Sequence, residues 1–503
     1  MRRVRLTAEQ LSRFAESSGD RNPLHIDERF ARRTPYGRPI AYGALVATAA
    51  LGSADEEALL HASALEMQFK KPVFPGEDYT VDVVEASEDK VRIEVAGGGR
   101  VALNLAITVD PAVAPLPSPS SLERPTPAPV PREYTLEELT AAEVTINQPF
   151  AADIEALSAL AVDLDAGHVP AAVLAWLAAA SFTVGMLVPG RDALFAGGRI
   201  TRTSASALGE LTVSVSTADE RMGFVSLDVL LSDGGASAEM TLHTFLRPPV
   251  PEPDRERISR FLPPSALLEG RKVLVVGASR GLGAALAGAL STQGATVWAG
   301  FARSTEQAER LRDEFGQERI RLLQFDAANA EQTAAAFEAV RAEGGELDGV
   351  VVSAAPPPGD TILHPDATQA TLDFVSTSIA TALVPLAEAL KLLSTDGWLV
   401  VMSSSALDDP PAGWPHYVVA KAALEGVAAY CARQTPARVI VVRAPRMWTD
   451  SMNTPMGRSG AAEKEEVAAA IVRRILAGDA AGRPEILVPA ALTEGAGTAT
   501  PLA

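Results

Sequence analysis

Tyr417 and Lys421 stand four positions apart, which puts them on one face of any helix that carries them, and Ser404 precedes the tyrosine by thirteen residues. A phenol, an ammonium and a hydroxyl are the groups that protonate and polarise a carbonyl as it is reduced. An unassisted tyrosine titrates near ~10, so a nearby positive charge is needed if it is to cycle at neutral pH. Far upstream, Asp20 and His25 lie five apart in Ser18-Gly19-Asp20-Arg21-Asn22-Pro23-Leu24-His25. A carboxylate and an imidazole converging on one water can remove a proton from carbon while protonating a departing hydroxyl, or run the reverse. Gly43, at the start of an apolar run, can aim its amide at a carbonyl oxygen where enolate charge develops.

Each of these groups needs an element to hold it. Residues 272–276 form a short apolar run, followed by Gly277-Ala278-Ser279-Arg280-Gly281-Leu282-Gly283 and a helical pattern over 284–293. Strand, glycine turn and helix is the arrangement a dinucleotide site requires, because the glycines allow close backbone approach and the helix N-terminus presents unpaired amides to a pyrophosphate. Residues 297–303 offer no carboxylate to hold a free ribose 2′-hydroxyl and end in Arg303, and Arg280 adds a second cation, so NADP(H) is the expected cofactor. Ser404 follows the strand-like run 398–402 and is expected at a sheet's C-terminal edge.

Proline-rich stretches divide the 503 residues. Residues 111–132 hold eight prolines and are expected as an extended spacer, and Pro248-Pro249-Val250-Pro251-Glu252-Pro253 opens a second linker, 248–270. The expected domains are therefore 1–110, 133–247 and 271–490, with a tail at 491–503. The first two share one layout. An apolar helix at 41–51 precedes strand-like runs at 65–69, 78–85, 90–95 and 100–109; another at 169–187 precedes runs at 193–201, 209–217, 223–231 and 236–246. That is a diverged internal duplication, in which an antiparallel sheet wraps a helix apolar on all sides. Residues 169–190 carry no charge and are long enough to cross a bilayer, but Pro170, Ser181, Thr183, Gly185 and the closing Pro189-Gly190 favour a helix sheathed in protein. The third domain alternates strands and helices, as a doubly wound parallel α/β sheet does.

With 44 basic against 63 acidic side chains the net charge is -19, which disfavours nucleic acid or an anionic membrane surface as partner. The single cysteine, Cys431, allows no internal disulfide, and nothing in the opening residues reads as a secretion signal, so a cytoplasmic setting is expected. Six scattered histidines suggest no metal site.

The glycine turn, Ser404, Tyr417 and Lys421 stand in the order and spacing of the short-chain dehydrogenase/reductase family, which residues 271–489 resemble. The resemblance implies a Rossmann-type domain in which Tyr417 protonates the substrate carbonyl oxygen, Lys421 lowers the tyrosine's pKa and holds the nicotinamide ribose, and Ser404 polarises the carbonyl. It implies cofactor contacts from Gly277, Ser279, Arg280, Gly281, Leu282 and Gly283, from Arg303, from Asp326 and Ala327, from Ser353 and Ala354, and from Thr449. Three positions depart from the family: Val352-Ser353-Ala354-Ala355 for Asn-Asn-Ala-Gly, Ser378 for the asparagine of the proton relay, and Pro445-Arg446 for Pro-Gly.

The block at 18–25, with Arg38-Pro39-Ile40-Ala41-Tyr42-Gly43 and Lys71-Pro72-Val73-Phe74-Pro75-Gly76-Glu77-Asp78, resembles the MaoC-like, (R)-specific enoyl hydratases of the hot-dog fold. The resemblance implies that Asp20 and His25 activate water, Asn22 supports them and Gly43 supplies the oxyanion donor. Tyr42 stands where that family frequently has histidine. The second segment, with Gly167-His168 and Leu187-Val188-Pro189-Gly190, resembles a degenerate second hot-dog that completes the acyl tunnel or the interface, His168 being structural. The two activities would meet at one metabolite, giving a bifunctional ketoreductase and dehydratase/hydratase for acyl-CoA or acyl carrier protein thioesters, homo-oligomeric as a dimer or tetramer. The alternative is a reductase acting alone, on a thioester or a non-thioester carbonyl, fused to a non-catalytic docking or dimerisation module.

Overall fold

A computed structural model describes residues 1–116, 130–141, 143–203, 208–233, 237–478, 484–493 and 500–501. The chain forms two compact units, the first spanning Met1–Pro249 and the second beginning at Val250.

The first unit is one ten-stranded antiparallel sheet built from β1 (Arg2–Val4), β2 (Ala62–Phe69), β3 (Tyr79–Ala86), β4 (Lys90–Gly97), β5 (Arg100–Val109), β6 (Thr145–Pro149), β7 (Ala193–Arg202), β8 (Leu208–Asp219), β9 (Phe224–Asp233) and β10 (Ala238–Leu246). Its order is β1-β3-β4-β5-β2-β7-β10-β9-β8-β6. Reading outward from the centre, β2-β5-β4-β3-β1 on one side mirrors β7-β10-β9-β8-β6 on the other, which is the duplication read as a double hot-dog. The halves join where Ala64 to Gln68 pair antiparallel with Thr201 to Gly197. Each half wraps one helix. In Gly43–Leu51 every residue after the glycine is buried, and in Ala171–Phe182 every residue after the first. Neither helix has a polar stripe because both lie between sheet and partner helix, so the uncharged stretch at 169–190 is core. The second helix ends in a wide π-turn, Thr183–Leu187.

Of the spacer expected at 111–132, residues 117–129 lie outside the described residues, but its ends are anchored: the Leu116 amide donates to the Leu60 carbonyl, and the Arg132 amide to that of Met186.

The second unit holds an eight-stranded sheet in the order β13-β12-β11-β14-β15-β16-β17-β18. These strands are β11 (Lys272–Val276), β12 (Thr296–Phe301), β13 (Ile320–Gln324), β14 (Leu347–Val352), β15 (Leu393–Ser404), β16 (Arg438–Ala444), β17 (Glu485–Leu487) and β18 (Thr500–Pro501). All pair in parallel except β18, which runs antiparallel to β17. The inner strands are continuous Val/Leu/Ile runs because helices cover both faces. The strand order reverses between β11 and β14, and at such a switch point loops part to leave a crevice.

Two expected boundaries shift. The segment 248–270, expected as a linker, carries the helix Arg255–Phe261, whose Ile258 sits in the second unit's core, and Leu268 is buried there too. The tail expected from 491 begins inside the helix Ala490–Thr493, with Leu492 buried, and returns to the sheet edge as β18. In both cases apolar residues spaced among prolines find core to cover.

Candidate functional site

The Asp20 site starts with a helix that stops on cue. Ala8–Ser18 opens with a capping box between Thr7 and Gln10 and closes on Gly19 at φ 76°, a left-handed C-cap that glycine adopts freely. The chain turns there, and Asn22 caps the next short helix, Pro23–Ile26, by accepting from the Leu24 amide. The Asn22 side-chain Nδ2 donates to the carbonyls of Gly185, Gly190 and Arg191. Asn22 thus ties the loop to the π-turn and the residues after it, while His25 emerges from the last turn of its short helix.

Asp20 is 2% exposed. Its carboxylate accepts from the Ser181 hydroxyl at 2.6 Å and the Asn22 amide at 3.0 Å. A side chain at Gly185 would collide with it, since a Cβ there would lie 2.3 Å from Oδ1. Burial pushes its pKa up to about 7, against the two hydrogen bonds, which favour the ionised form. His25 Nδ1 lies 2.8 Å from the Ile40 carbonyl oxygen, so the neutral ring carries its proton there and Nε2 keeps its lone pair. The ring packs 3.9 Å from that of Tyr42, whose hydroxyl donates to the Asp20 carbonyl. Tyr42 therefore braces both residues. Burial lowers the His25 pKa to about 4, the Ile40 contact opposing and the charge of Arg247 adding to the fall.

Asp20, Asn22, His25 and Gly43 line one cavity of about 240 Å³. Gly43 is the first residue of its helix, so its amide has no partner within that helix. A Cβ at Gly43 would stand 2.6 Å from the Phe69 ring, so only glycine fits beneath that ring. The second repeat supplies Ser181, Val184, Gly185, Leu194, Phe195 and Phe245 to the same wall. Ser181 and Gly185 were missed in the sequence. The signal available was a hydroxyl and a glycine within an otherwise apolar helix. His168 Nε2 donates to the Ala54 carbonyl, 2.9 Å away.

In the second unit the glycine turn follows β11, and Gly281 begins the helix Gly281–Thr292. A Cβ at Gly277 would press on the Ala354 amide at 2.6 Å, and one at Gly283 on the Gly277 carbonyl at 2.0 Å, so both glycines let backbone meet backbone. Above Gly281, at φ 58°, a Cβ would find Thr449 Cγ2 at 3.7 Å and nothing nearer, which leaves a cradle at the helix N-terminus. That cradle fits a dinucleotide pyrophosphate. Leu282 points into the core and offers only backbone; Ser279 is partly exposed. Arg303 is exposed beyond β12. Arg280, the second cation, lies 3.5 Å from the Asp450 carboxylate. Asp326 is exposed and caps its own turn through the Ala328 amide, with Ala327 buried beside it. The Ser353 amide donates to the Val276 carbonyl, holding the switch point closed below the turn.

Tyr417 and Lys421 share the helix Pro415–Gln434, with the Lys421 nitrogen 5.5 Å from the Tyr417 ring centre. Lys421 donates to the Met402 carbonyl at 2.8 Å, and one helical turn further on Glu425 accepts from Ser403 at 2.6 Å and is clasped by Arg443. These bonds fasten the helix to the end of β15, where Ser404 accepts from the Ala406 amide and caps the following turn. Ser378 is buried, its hydroxyl without a hydrogen-bond partner among the described residues.

A family model for the MaoC like domain matches residues 1–103, and one for short chain dehydrogenase matches residues 271–464. The (R)-specific enoyl-CoA hydratase of Aeromonas caviae is 36% identical over 124 residues, 22% of this chain and 88% of that protein. The 3-oxoacyl-(acyl-carrier-protein) reductase FabG of Escherichia coli strain K12 is 30% identical over 225 residues, 43% of this chain and 87% of that protein. The chain is a fusion of a MaoC-like protein and a short-chain dehydrogenase. A further relative of the MaoC-like part is the 3-hydroxybutyryl-CoA dehydratase of Methylorubrum extorquens, 36% identical over 88 residues, 16% of this chain and 56% of that protein. The MaoC-like part holds the Asp20 cavity, and the dehydrogenase part holds the glycine turn and Tyr417.

Among the described residues one helical stretch, Pro365–Leu392 in the dehydrogenase part, is long and apolar enough to cross a membrane by length and composition. In its most apolar 18-residue window 22% of the residues are buried, and Leu372 and Leu383 on the stretch, like Val419 and Tyr430 on the helix Pro415–Gln434, are exposed.

Proposed function

We propose that the chain is a bifunctional enzyme, an NADPH-dependent 3-oxoacyl-thioester reductase joined to an (R)-3-hydroxyacyl-thioester dehydratase/enoyl hydratase, acting on CoA or acyl carrier protein thioesters in fatty acid- or polyketide-type metabolism. The observation that carries the reading is the convergence of Asp20, His25 and Gly43 on one cavity, and the burial of both titratable groups orders their protons. With Asp20 near 7 and His25 near 4, the pair holds one proton between them across the intervening range, and it sits on the carboxyl. In hydration His25 Nε2 takes a proton from water as its oxygen bonds to the β-carbon, Asp20 gives its proton to the α-carbon, and the Gly43 amide receives the charge on the thioester oxygen. Dehydration reverses each transfer. A docking module would have no use for a carboxyl kept out of water at a cost in stability.

In the reductase the Tyr417 hydroxyl protonates the carbonyl oxygen, Ser404 donates to that oxygen, and Lys421 keeps two protons free beyond its Met402 bond to hold the nicotinamide ribose. Bound NADPH supplies the hydride. The glycine cradle would hold its pyrophosphate, and Arg303 its 2′-phosphate. Residues 1–110 would carry the hydratase site, 133–247 the repeat that completes it, and 271–490 the reductase.

Short acyl chains are the first substrates to offer, because the Methylorubrum relative is named for a 3-hydroxybutyryl thioester. The exposed apolar side chains on the Thr368–Leu392 and Pro415–Gln434 helices support a homo-oligomer. A cytoplasmic location fits such an assembly. The test is to assay one preparation for hydration of a short trans-2-enoyl thioester and for NADPH oxidation with a 3-oxoacyl thioester. Both activities are expected; failure of the first with CoA and carrier tethers alike would reduce the function to a reductase.

A further inference from the structure

Arg247 follows β10 in the second repeat and is 3% exposed. An arginine at that depth ordinarily meets a carboxylate or carbonyls, because a guanidinium taken out of water unpaired is costly. Here Nε and Nη2 are buried and have no hydrogen-bond partner among the described residues. The backbone amide is held by the Asp192 carbonyl at 3.1 Å, and the guanidinium carbon lies 5.9 Å from the centre of the Tyr36 ring. Tyr36 lines the cavity together with Asp20 and His25. The charge therefore stands behind the cavity wall.

A purely structural role would be to neutralise Asp192. Among the described residues, however, no ion pair joins the Arg247 guanidinium to the Asp192 carboxyl, and burial holds that carboxyl above its usual range against the charges of Arg247, Arg191 and Arg33. The same charge also reaches Tyr36 and His25. Around His25 the other titratable or charged groups are Tyr42, stacked on its ring, and Asp20, Tyr36, Lys70 and Lys71 on the cavity wall. Asp20 stays protonated through the acidic range and offers no negative charge to stabilise an imidazolium.

We infer that Arg247 is a positioning residue for the hydration site, a fixed and unneutralised cation that acts through His25 by opposing a second cation on the imidazole, so that His25 enters the reaction as a proton acceptor. This rests on the hydratase reading of the cavity.

The test compares the full-length chain with Arg247→Met, Arg247→Gln and Arg247→Lys. Two quantities are followed: the pH dependence of kcat/KM for hydration of a short enoyl thioester, and the His25 titration by NMR of 13C-labelled histidine, assigned with His25→Gln. Reduction of a 3-oxoacyl thioester by the same preparations reports that the chain is folded. Met and Gln are expected to raise both the acidic limb and the NMR midpoint by about one pH unit, and Lys to leave both where the native chain has them. An unmoved midpoint in the neutral variants, or equal losses in Lys and Met with no shift, would overturn the inference. A native chain that hydrates nothing would overturn the hydratase reading instead, and the NMR midpoint would still decide whether Arg247 acts on His25.

Discussion

Ser181, on the buried helix of the second repeat, donates a 2.6 Å hydrogen bond to the carboxylate of Asp20 in the first, 161 residues away in the chain. The repeat that lacks the Asp/Asn/His block therefore holds the first repeat's carboxyl in place. That bond favours the ionised form, so removing it should leave Asp20 protonated to higher pH. In Ser181→Ala the basic limb of the hydration profile is expected to move up by about one pH unit, with kcat/KM reduced roughly tenfold. A profile identical to the native one would detach Ser181 from the chemistry.

Asp20 itself sets a pH window for stability. Its pKa in the folded chain is raised to about 7, while in the unfolded chain it lies near ~3.9, so as pH climbs between these values the unfolded state ionises and the folded state resists. Stability from this group is whole below the unfolded value and falls away toward neutrality. Asp20→Asn should therefore stabilise the chain by about 1–3 kcal/mol at pH 8, with little change at pH 4, while abolishing hydration. Denaturant midpoints at the two pH values measure this, and equal effects at both would refute the assignment.

Which of these relations was legible in the letters follows from their range. The Asp20, Asn22 and His25 block could be read because its turn chemistry is local: a glycine C-cap, an asparagine N-cap and a proline within eight residues. The duplication was legible as two apolar helices each followed by strands, although no letters repeat. Tyr417 and Lys421 stood out through helical spacing alone. Ser181, Gly185 and Arg247 were not legible, because their neighbours come from the other repeat and contact at that separation leaves no local pattern. The pairing of Arg280 with Asp450 was hidden for the same reason, the two lying 170 residues apart.

The two activities should separate by mutation. Tyr417→Phe is expected to lower NADPH-dependent reduction at least a hundredfold, a typical loss for a positioned acid, and to leave enoyl hydration intact. Asp20→Asn should do the opposite. Loss of both activities in either variant, with the fold retained, would mean one shared site.

Arg303 gives a cofactor test. Arg303→Asp removes the cation expected at the 2′-phosphate and places a carboxylate where a free ribose hydroxyl can bond. The ratio of kcat/KM for NADPH to that for NADH should fall by about tenfold or more, equivalent to ~1.4 kcal/mol. An unchanged ratio would move 2′-phosphate recognition to another residue.

The most direct measurement is mass spectrometry of the products when the native chain meets NADPH and a 3-oxobutyryl thioester, offered on CoA and on a carrier protein. Hydroxyacyl and enoyl products together are expected from the native chain, and hydroxyacyl product alone from Asp20→Asn. Hydroxyacyl product alone from the native chain on both tethers would contradict a bifunctional enzyme.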